Sequence, residues 1–412
     1  MVVPDKENLA RGAQSHRQQR AANVVTPFWI VLGLAMAPTI ALGLARFAYA
    51  LLLPPMRHDL HWSFADAGAM NTANAAGYLI GALSTAALGR MLGSKRVFSV
   101  SLLVTAVAVA ASGTTDRFAL LLVLRFVAGL AGALAFVVGA GLTSAAAAEG
   151  SPGRAATMLA VYFAGGGIGI AASALAVPPL LAASGWRTGW LAMGGLSLAG
   201  TVFAWTALPR VPALAARPAA HAGGWSARFM LAKLLAYGLY GAGYSSYSTF
   251  IIAYLRADEG LSSQAIAVFW AVLGLSAIVA AFAWGPVLGR LKGGRGTVAT
   301  VGMVAAGVAL PMVVPGAIGA YVSALLFGGS FLAVIAAVTL FARRAAAPHA
   351  WTAAIAALTT TFGIGQCVGP VLSGLLSDGA NGVREGLWLS VGILVLACVI
   401  AALQIDPESG RR

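Results

Sequence analysis

The sequence predicts an all-α integral membrane protein of twelve transmembrane helices, arranged as two pseudo-symmetric six-helix bundles. Three observations predict it. Of 412 residues, 59% are hydrophobic and 9% are charged, against about 25% charged in a soluble domain, so most of the chain cannot face water. The apolar residues fall into runs of about 20, the length of helix that crosses a hydrocarbon core of about 30 Å. Short motifs of the first half recur in the second at a near-constant offset.

In chain order the runs are 27–53, 65–88, 97–113, 118–148, 157–181, 188–208, 229–255, 264–288, 297–314, 317–341, 352–376 and 386–403. The connections are short and leave no room for a soluble domain. The longest, 209–228, divides the chain into an N-terminal bundle, 27–208, and a C-terminal bundle, 229–404, flanked by polar tails 1–26 and 405–412. With the N-terminus in the cytoplasm, 18 Lys and Arg fall on cytoplasmic segments. The outer segments carry only Arg57, Arg117, Arg187, Arg256 and Arg384. This asymmetry is the topology signal of a bacterial inner-membrane protein with both termini cytoplasmic. It accounts for the net charge of +14 without a nucleic-acid partner.

Within the spans, the polar residues are informative because each is costly in lipid. Span 1 carries Arg46 and Tyr49, and span 4 carries Arg125. An unpaired Arg in hydrocarbon costs at least about 2.5 kcal/mol, so both are expected to face an interior cavity or a polar partner. For Arg125 the partners weighed are backbone carbonyls, Asp66 or Asp116. Span 2 carries Asn71, Asn74 and Tyr78 on one face. Span 7 carries Tyr237, Tyr240, Tyr244 and Tyr247 at one-face spacing, and spans 8 and 11 contribute Trp270 and Gln366. Cavity lining and helix–helix bonding are both open for these stripes. Lys233, near the cytoplasmic end of span 7, is expected to snorkel to the headgroups.

No Asp or Glu falls at mid-membrane. A buried proton-carrying carboxylate is therefore not expected; Asp66, Glu149 or the substrate's own acid group remain as routes for a coupling proton. Two intramembrane Arg without an acid instead suit an anionic solute, which a guanidinium binds through paired hydrogen bonds. Cys367 and Cys398 sit in apolar runs, so neither a disulfide nor a redox role is indicated. His58 and His61 flank Asp59 in an outer loop and read as solvated residues. No phosphate-binding Gly-x4-Gly-Lys loop occurs, and no cofactor or metal is expected.

The two halves match at three places. Gly43-Leu44 in span 1 matches Gly238-Leu239 in span 7. Gly89-Arg90-Met91-Leu92-Gly93 after span 2 matches Gly289-Arg290 to Gly293 after span 8. Gly167-Ile168-Gly169 matches Gly363-Ile364-Gly365. The glycines at 165, 167 and 169, and at 363, 365 and 369 with Pro370, are expected to let spans 5 and 11 pack closely on the opposite bundle.

With these residues the sequence resembles the major facilitator superfamily from about 27 to 403. Gly89-Arg90 to Gly93 with Lys95 and Arg96 resembles its basic loop after span 2. Arg125 to Gly129 resembles its span 4 motif, Gly165–Gly169 with Pro178-Pro179 its span 5 motif, and Gly185-Trp186-Arg187 the turn that opens span 6. Arg46 to Tyr49 and Gly363 to Pro370 look like a largely uncharacterised bacterial branch. The resemblance implies a secondary transporter, not an enzyme, that moves a small organic solute by alternating access. Its cavity would be lined by Arg46, Tyr49, Asn71, Asn74, Tyr78, Arg125, Tyr240, Tyr244, Tyr247, Trp270 and Gln366. Its moving parts would include Gly89, Arg90, Gly93 and Arg96. A proton or a counter-anion would be the coupling partner, and a monomer the working unit. The basic loop departs from the family pattern, since Gly89 stands where relatives carry an Asp. Uptake, exchange and export of drugs or metabolites all fit. A polytopic enzyme would need clustered His, Asp or Cys near an interface, and a receptor an added domain; neither is apparent.

Overall fold

The computed structural model describes residues 28–147, 151–212, 225–291 and 293–404. The expectations for the two tails, for most of the 209–228 linker and for Glu149 fall outside the described residues. Among those described the secondary structure is helical, with no strand.

Helix α1 runs Phe28–Asp59, α2 Phe64–Leu92, α3 Ser94–Ala111 and α4 Phe118–Ala147. A 56-residue helical run follows, Pro152–Ala207. Kept straight it would be about 84 Å long, far more than a bilayer, and it is broken at Gly185, where φ is 76° and ψ −176°. That positive φ is open to glycine and strained for any other residue. The break makes two helices, α5 (152–184) and α6 (186–207), and both pack on α1. Gly33, Gly200 and Gly189 show the order: Gly33 meets Ala207, Ile40 meets Gly200, and Leu52 meets Gly189. On the other side Ala35 meets Gly165 and Thr39 meets Gly169. One partner therefore runs against α1 and the other along it, so the chain crosses, turns at Gly185 and crosses back.

The second half has α7 Leu231–Ala257, α8 Ser263–Arg290, α9 Arg295–Val313, α10 Gly316–Ala345, α11 Trp351–Ser377 and α12 Val383–Ala402. Ten described segments are both long and apolar enough to cross a membrane. Twelve rods result when the Gly185 break is counted and α7 is added. Helix α7 has the length, 27 residues, but its serines and tyrosines lower its apolarity. Helix starts follow local capping: Ser63 and Asp66 form a reciprocal capping box on α2, and Ser151 and Ser262 cap α5 and α8.

The duplicated glycines make equivalent contacts. A Cβ on Gly43 of α1 would lie 2.3 Å from Gly169 of α5, and one on Gly365 of α11 would lie 1.9 Å from the Gly238 carbonyl of α7. The two glycine pairs that match in sequence are thus paired in space, α1 with α5 and α7 with α11. This corrects part of the expectation for the glycine clusters. Gly165 and Gly169 face α1, while Gly365 and Gly369 face α7, within their own halves. Gly167 and Gly363 instead cross over: Gly167 meets Gly274 of α8, and Gly363 meets Leu79 of α2. The reason is helical phase, since residues two apart point about 200° apart.

The seven described acids, Asp59, Asp66, Asp116, Asp258, Glu259, Asp378 and Glu385, fall at helix ends that contacts tie into one end of the molecule. Trp186 donates to Asp59 at 3.1 Å, Arg187 lies 3.8 Å from Asp116, and the Gly316 N–H donates to Glu259 at 2.7 Å. We call this the acid end. The opposite end carries Arg90, Lys95, Arg96, Arg154, Arg210, Arg228, Arg290, Arg295, Arg343 and Arg344, with no acid among the described residues.

Candidate substrate cavity

Between the halves lies a cavity with about 370 Å³ of empty volume, walled by six helices. Helix α1 contributes Leu42, Arg46 and Phe47; α2 Tyr78; α4 Phe136; α7 Tyr240 and Tyr244; α10 Phe331, Leu332 and Ile335; α11 Phe362 and Gln366. Arg46 is the charged residue of this wall, and it is only 5% exposed.

The local backbone of Arg46 is unusual. Residues Thr39–Phe47 form a π-helical stretch, and the Ala48 N–H bonds to the Gly43 carbonyl, five residues back. Such widened turns recur at functional sites because they re-aim side chains and loosen the carbonyl ladder. Here the Arg125 guanidinium donates from Nη1 to the Ala45 carbonyl, inside that stretch. Thr39 also ties it to α5 by donating to the Gly165 carbonyl at 2.9 Å.

Arg46 Nη1 donates to Gln366 Oε1 at 3.3 Å, and Gln366 Nε2 donates to the Tyr244 hydroxyl at 3.2 Å. Gln366 is therefore spent on orienting a cation and a phenol across the two halves. The guanidinium lies 5.9 Å from the Tyr78 ring centroid and 5.7 Å from that of Tyr244, a cation–π arrangement that offsets part of its desolvation. Its Nε and Nη2 have no hydrogen-bond partner among the described residues. Tyr240 donates to the Phe331 carbonyl at 2.7 Å, which leaves its ring as wall. The rings of Tyr240, Tyr244 and Phe362 lie within 5.8 Å of one another, with interplanar angles of 14° to 19°.

Of the residues singled out from sequence, Arg46, Tyr78, Tyr240, Tyr244 and Gln366 meet at this cavity. The others lie elsewhere. Arg125 is enclosed by the rings of Tyr49 and Trp190, at 4.9 and 5.3 Å, and Tyr49 donates to the Ala67 carbonyl at 2.8 Å. Asp66 is occupied with capping α2 through Ser63, and Asp116 with Arg187, so the partner of Arg125 is a backbone carbonyl. Asn74 donates to the Arg125 carbonyl at 3.1 Å, and Asn71 to Thr249 at 2.6 Å; both join helices. Tyr247 pairs with Ser323 at 2.6 Å beside Phe327. Trp270 packs on Phe47 behind the wall, with its Nε1 unpartnered. Lys233 does not reach for headgroups: it is 0% exposed, donates to Thr297 at 2.8 Å and lies 4.5 Å from the Phe341 ring.

The phenylalanines and aliphatics of the wall were not legible in sequence. In a chain this apolar, Phe136 or Leu332 looks no different from a lipid-facing residue, and nothing in their spacing marks them.

The two halves close on each other toward the acid end. Helices α2 and α11 run antiparallel there: Phe64 and Ala65 meet Gly374, Gly68 meets Pro370, Thr72 donates to the Cys367 carbonyl at 2.6 Å, and Leu79 meets Gly363. Asp378 completes the seam, accepting from the N–H groups of Phe64 at 2.7 Å and Ala65 at 3.0 Å. At the other end the Gly89–Arg96 loop stands clear. Arg90 and Arg96 are exposed and make no ion pair among the described residues, and Gly89 and Gly93 have nothing within 4 Å of a Cβ position.

A cavity between two repeated helical halves, reached by polar groups from both, is the architecture of a carrier. The profile of the family described as "Uncharacterised MFS-type transporter YbfB" matches residues 38–402. The chain belongs to this family of major facilitator superfamily transporters. Three solved structures of similar fold agree. A bacterial homolog of the human lysosomal transporter Spinster, inward-facing and unoccupied, has a TM-score of 0.71 at 15% identity over 92% of this chain and 97% of that one. The nucleoside transporter NupG has a TM-score of 0.70 at 14% identity over 90% and 97%. The human organic anion transporter MFSD10 (TETRAN) has a TM-score of 0.63 at 15% identity over 90% and 99%. Comparison with curated proteins finds no match. This YbfB-type chain is thus a multi-pass membrane transporter of a small molecule, not an enzyme.

Proposed function

We propose that the protein is a secondary active transporter that moves a small organic anion across the bacterial cytoplasmic membrane by alternating access. The observation that carries this reading is Arg46, a buried cation on a cavity wall whose Nε and Nη2 lack partners and which has no acid beside it. A buried cation without a counter-charge is costly, and an anion arriving in the cavity supplies one. All described acids lie at one end of the molecule, so none neutralises it.

The positively charged end fits the cytoplasm, with both ends of the chain on that side. The two moving units correspond to 27–208 and 229–404. The seam of α2 with α11, sealed by Asp378, then closes the outer side, and the likeness to an inward-facing relative agrees with that state. Opening outward requires this seam to part while the halves rock about the cavity. Gly167 against Gly274 and Gly363 against Leu79 provide the smooth contacts over which they turn. Lacking a cavity acid, the coupling step falls to a counter-anion or to a proton carried by the solute, and the monomer suffices for the cycle.

The test is transport in proteoliposomes. The wild type should accumulate or exchange an organic anion, and Arg46→Gln should reduce the rate at least about tenfold, the loss of one charge-assisted pair of hydrogen bonds of about 1.5–3 kcal/mol. Transport of anions at the wild-type rate by Arg46→Gln protein would remove this reading.

A further inference from the structure

We infer that the solute is a monoanion with a planar, uncharged ring, a carboxylate of the benzoate kind, bound side-on by Arg46. The inference rests on the transport reading above and narrows it.

The two unpartnered atoms of Arg46 are Nε and Nη2, while Nη1 is held by Gln366. In a guanidinium, Nε–H and the adjacent Nη–H lie on one edge, parallel, and match the two oxygens of a carboxylate. Gln366 thus occupies the far corner and leaves one complete edge vacant. The other free polar groups on the wall are hydroxyls that can donate to a carboxylate. The Tyr78 and Tyr244 hydroxyls donate to no group among the described residues, and the Tyr244 oxygen is already accepting from Gln366. The charge on this wall is the Arg46 guanidinium, which attracts a negative group and repels an ammonium.

The rest of the wall limits what is attached to that group. Leu42, Phe47, Phe136, Phe331, Leu332 and Ile335 are apolar. A second carboxylate would lie against them without a partner, at the several-kcal/mol cost of an uncompensated buried charge. Arg125 has the same free edge, but the rings of Tyr49 and Trp190 enclose it away from the cavity. The near-parallel rings of Tyr240, Tyr244 and Phe362 make a flat face, which favours an offset-stacked ring over a puckered body.

The experiment is calorimetric binding to the purified full-length protein in nanodiscs. The probes are benzoate, cyclohexanecarboxylate, terephthalate, benzamide and benzylamine. Benzoate should bind at least tenfold more tightly than terephthalate, benzamide and benzylamine, and severalfold more tightly than cyclohexanecarboxylate. Arg46→Gln should lose at least tenfold for benzoate and should weaken cyclohexanecarboxylate likewise, while leaving the weak binding of benzamide and benzylamine unchanged. Tyr244→Phe, which keeps the ring, should lose severalfold and guards against misfolding of the Arg46 variant. Terephthalate equal to benzoate, with both lost in Arg46→Gln, would overturn the monoanion while leaving anion transport standing. Cyclohexanecarboxylate equal to benzoate would overturn the planar ring. Benzamide or benzylamine binding as well as benzoate, or benzoate unaffected by Arg46→Gln, would defeat the anion reading itself. Failure of every probe to bind would overturn the proposed class.

Discussion

Arg46 and Arg125 lie one helix apart in similar chemistry, yet their surroundings give them different work. Arg125 donates to the Ala45 carbonyl and braces the widened turn of α1, while Arg46 lines the cavity with Nε and Nη2 unpartnered among the described residues. Their neutral variants should therefore diverge. Arg125→Gln breaks a charge-assisted bond to a buried backbone carbonyl and should lower stability by about 1.5–3 kcal/mol. Arg46→Gln removes an uncompensated buried cation, so the ligand-free protein should melt no lower than wild type, and only stabilisation by ligand should disappear. Melting curves with and without an organic anion check both signs. A large drop in melting temperature for ligand-free Arg46→Gln would mean that Arg46 is a structural group.

At the scale of helices, glycine positions separate packing from motion. A Cβ at Gly365 would lie 1.9 Å from the Gly238 carbonyl, within one half. Gly365→Val should therefore weaken the folded bundle by about 1–3 kcal/mol and reduce the amount of inserted protein. Gly167 touches Gly274 across the halves, where a Cβ would lie 2.4 Å from a carbonyl. Gly167→Leu should slow turnover more than it reduces insertion, whereas Gly285→Ala, with nothing within 4 Å, should change neither. Transport rates normalised to inserted protein decide this, and equal losses at 167 and 365 would refute the distinction. The seam at the acid end gives a second test. Asp378 accepts from the first N–H groups of α2, an exposed helix-terminus interaction of about 0.3–1 kcal/mol. Asp378→Asn should shift the population up to about fivefold toward the state open at that end. Spin-label distances between residues 61 and 380 should then gain a longer component, and an unchanged distribution would show that the carboxylate does not hold the seam.

For the whole molecule, the division of charge between the two ends sets a testable orientation. Single cysteines at Arg90 and Arg290, in a chain freed of Cys367 and Cys398, should be shielded from an impermeant thiol reagent added to intact cells. Cysteines at Asp116 and Asp258 should react. The reverse pattern would invert the topology and with it the side on which Asp378 seals the cavity.

The sequence by itself determined the helical membrane class, the spans, the charge asymmetry and the repeat, because each is written in composition or in periods along one chain. Burying polar groups in lipid is so costly that Arg46, Tyr78, Tyr240, Tyr244 and Gln366 stand out as interior residues from their place in apolar runs alone. What the fold alone decided was which of the interior groups share a wall. Asn71, Asn74, Tyr247 and Arg125 have the same chemistry as the cavity residues but find partners on neighbouring helices. The turn at Gly185, the phase that sends Gly167 and Gly165 to different neighbours, and the Phe136, Phe331 and Phe362 lining depend on helix rotation and crossing. Those are fixed by close packing among distant segments, which a linear pattern of apolar residues does not encode.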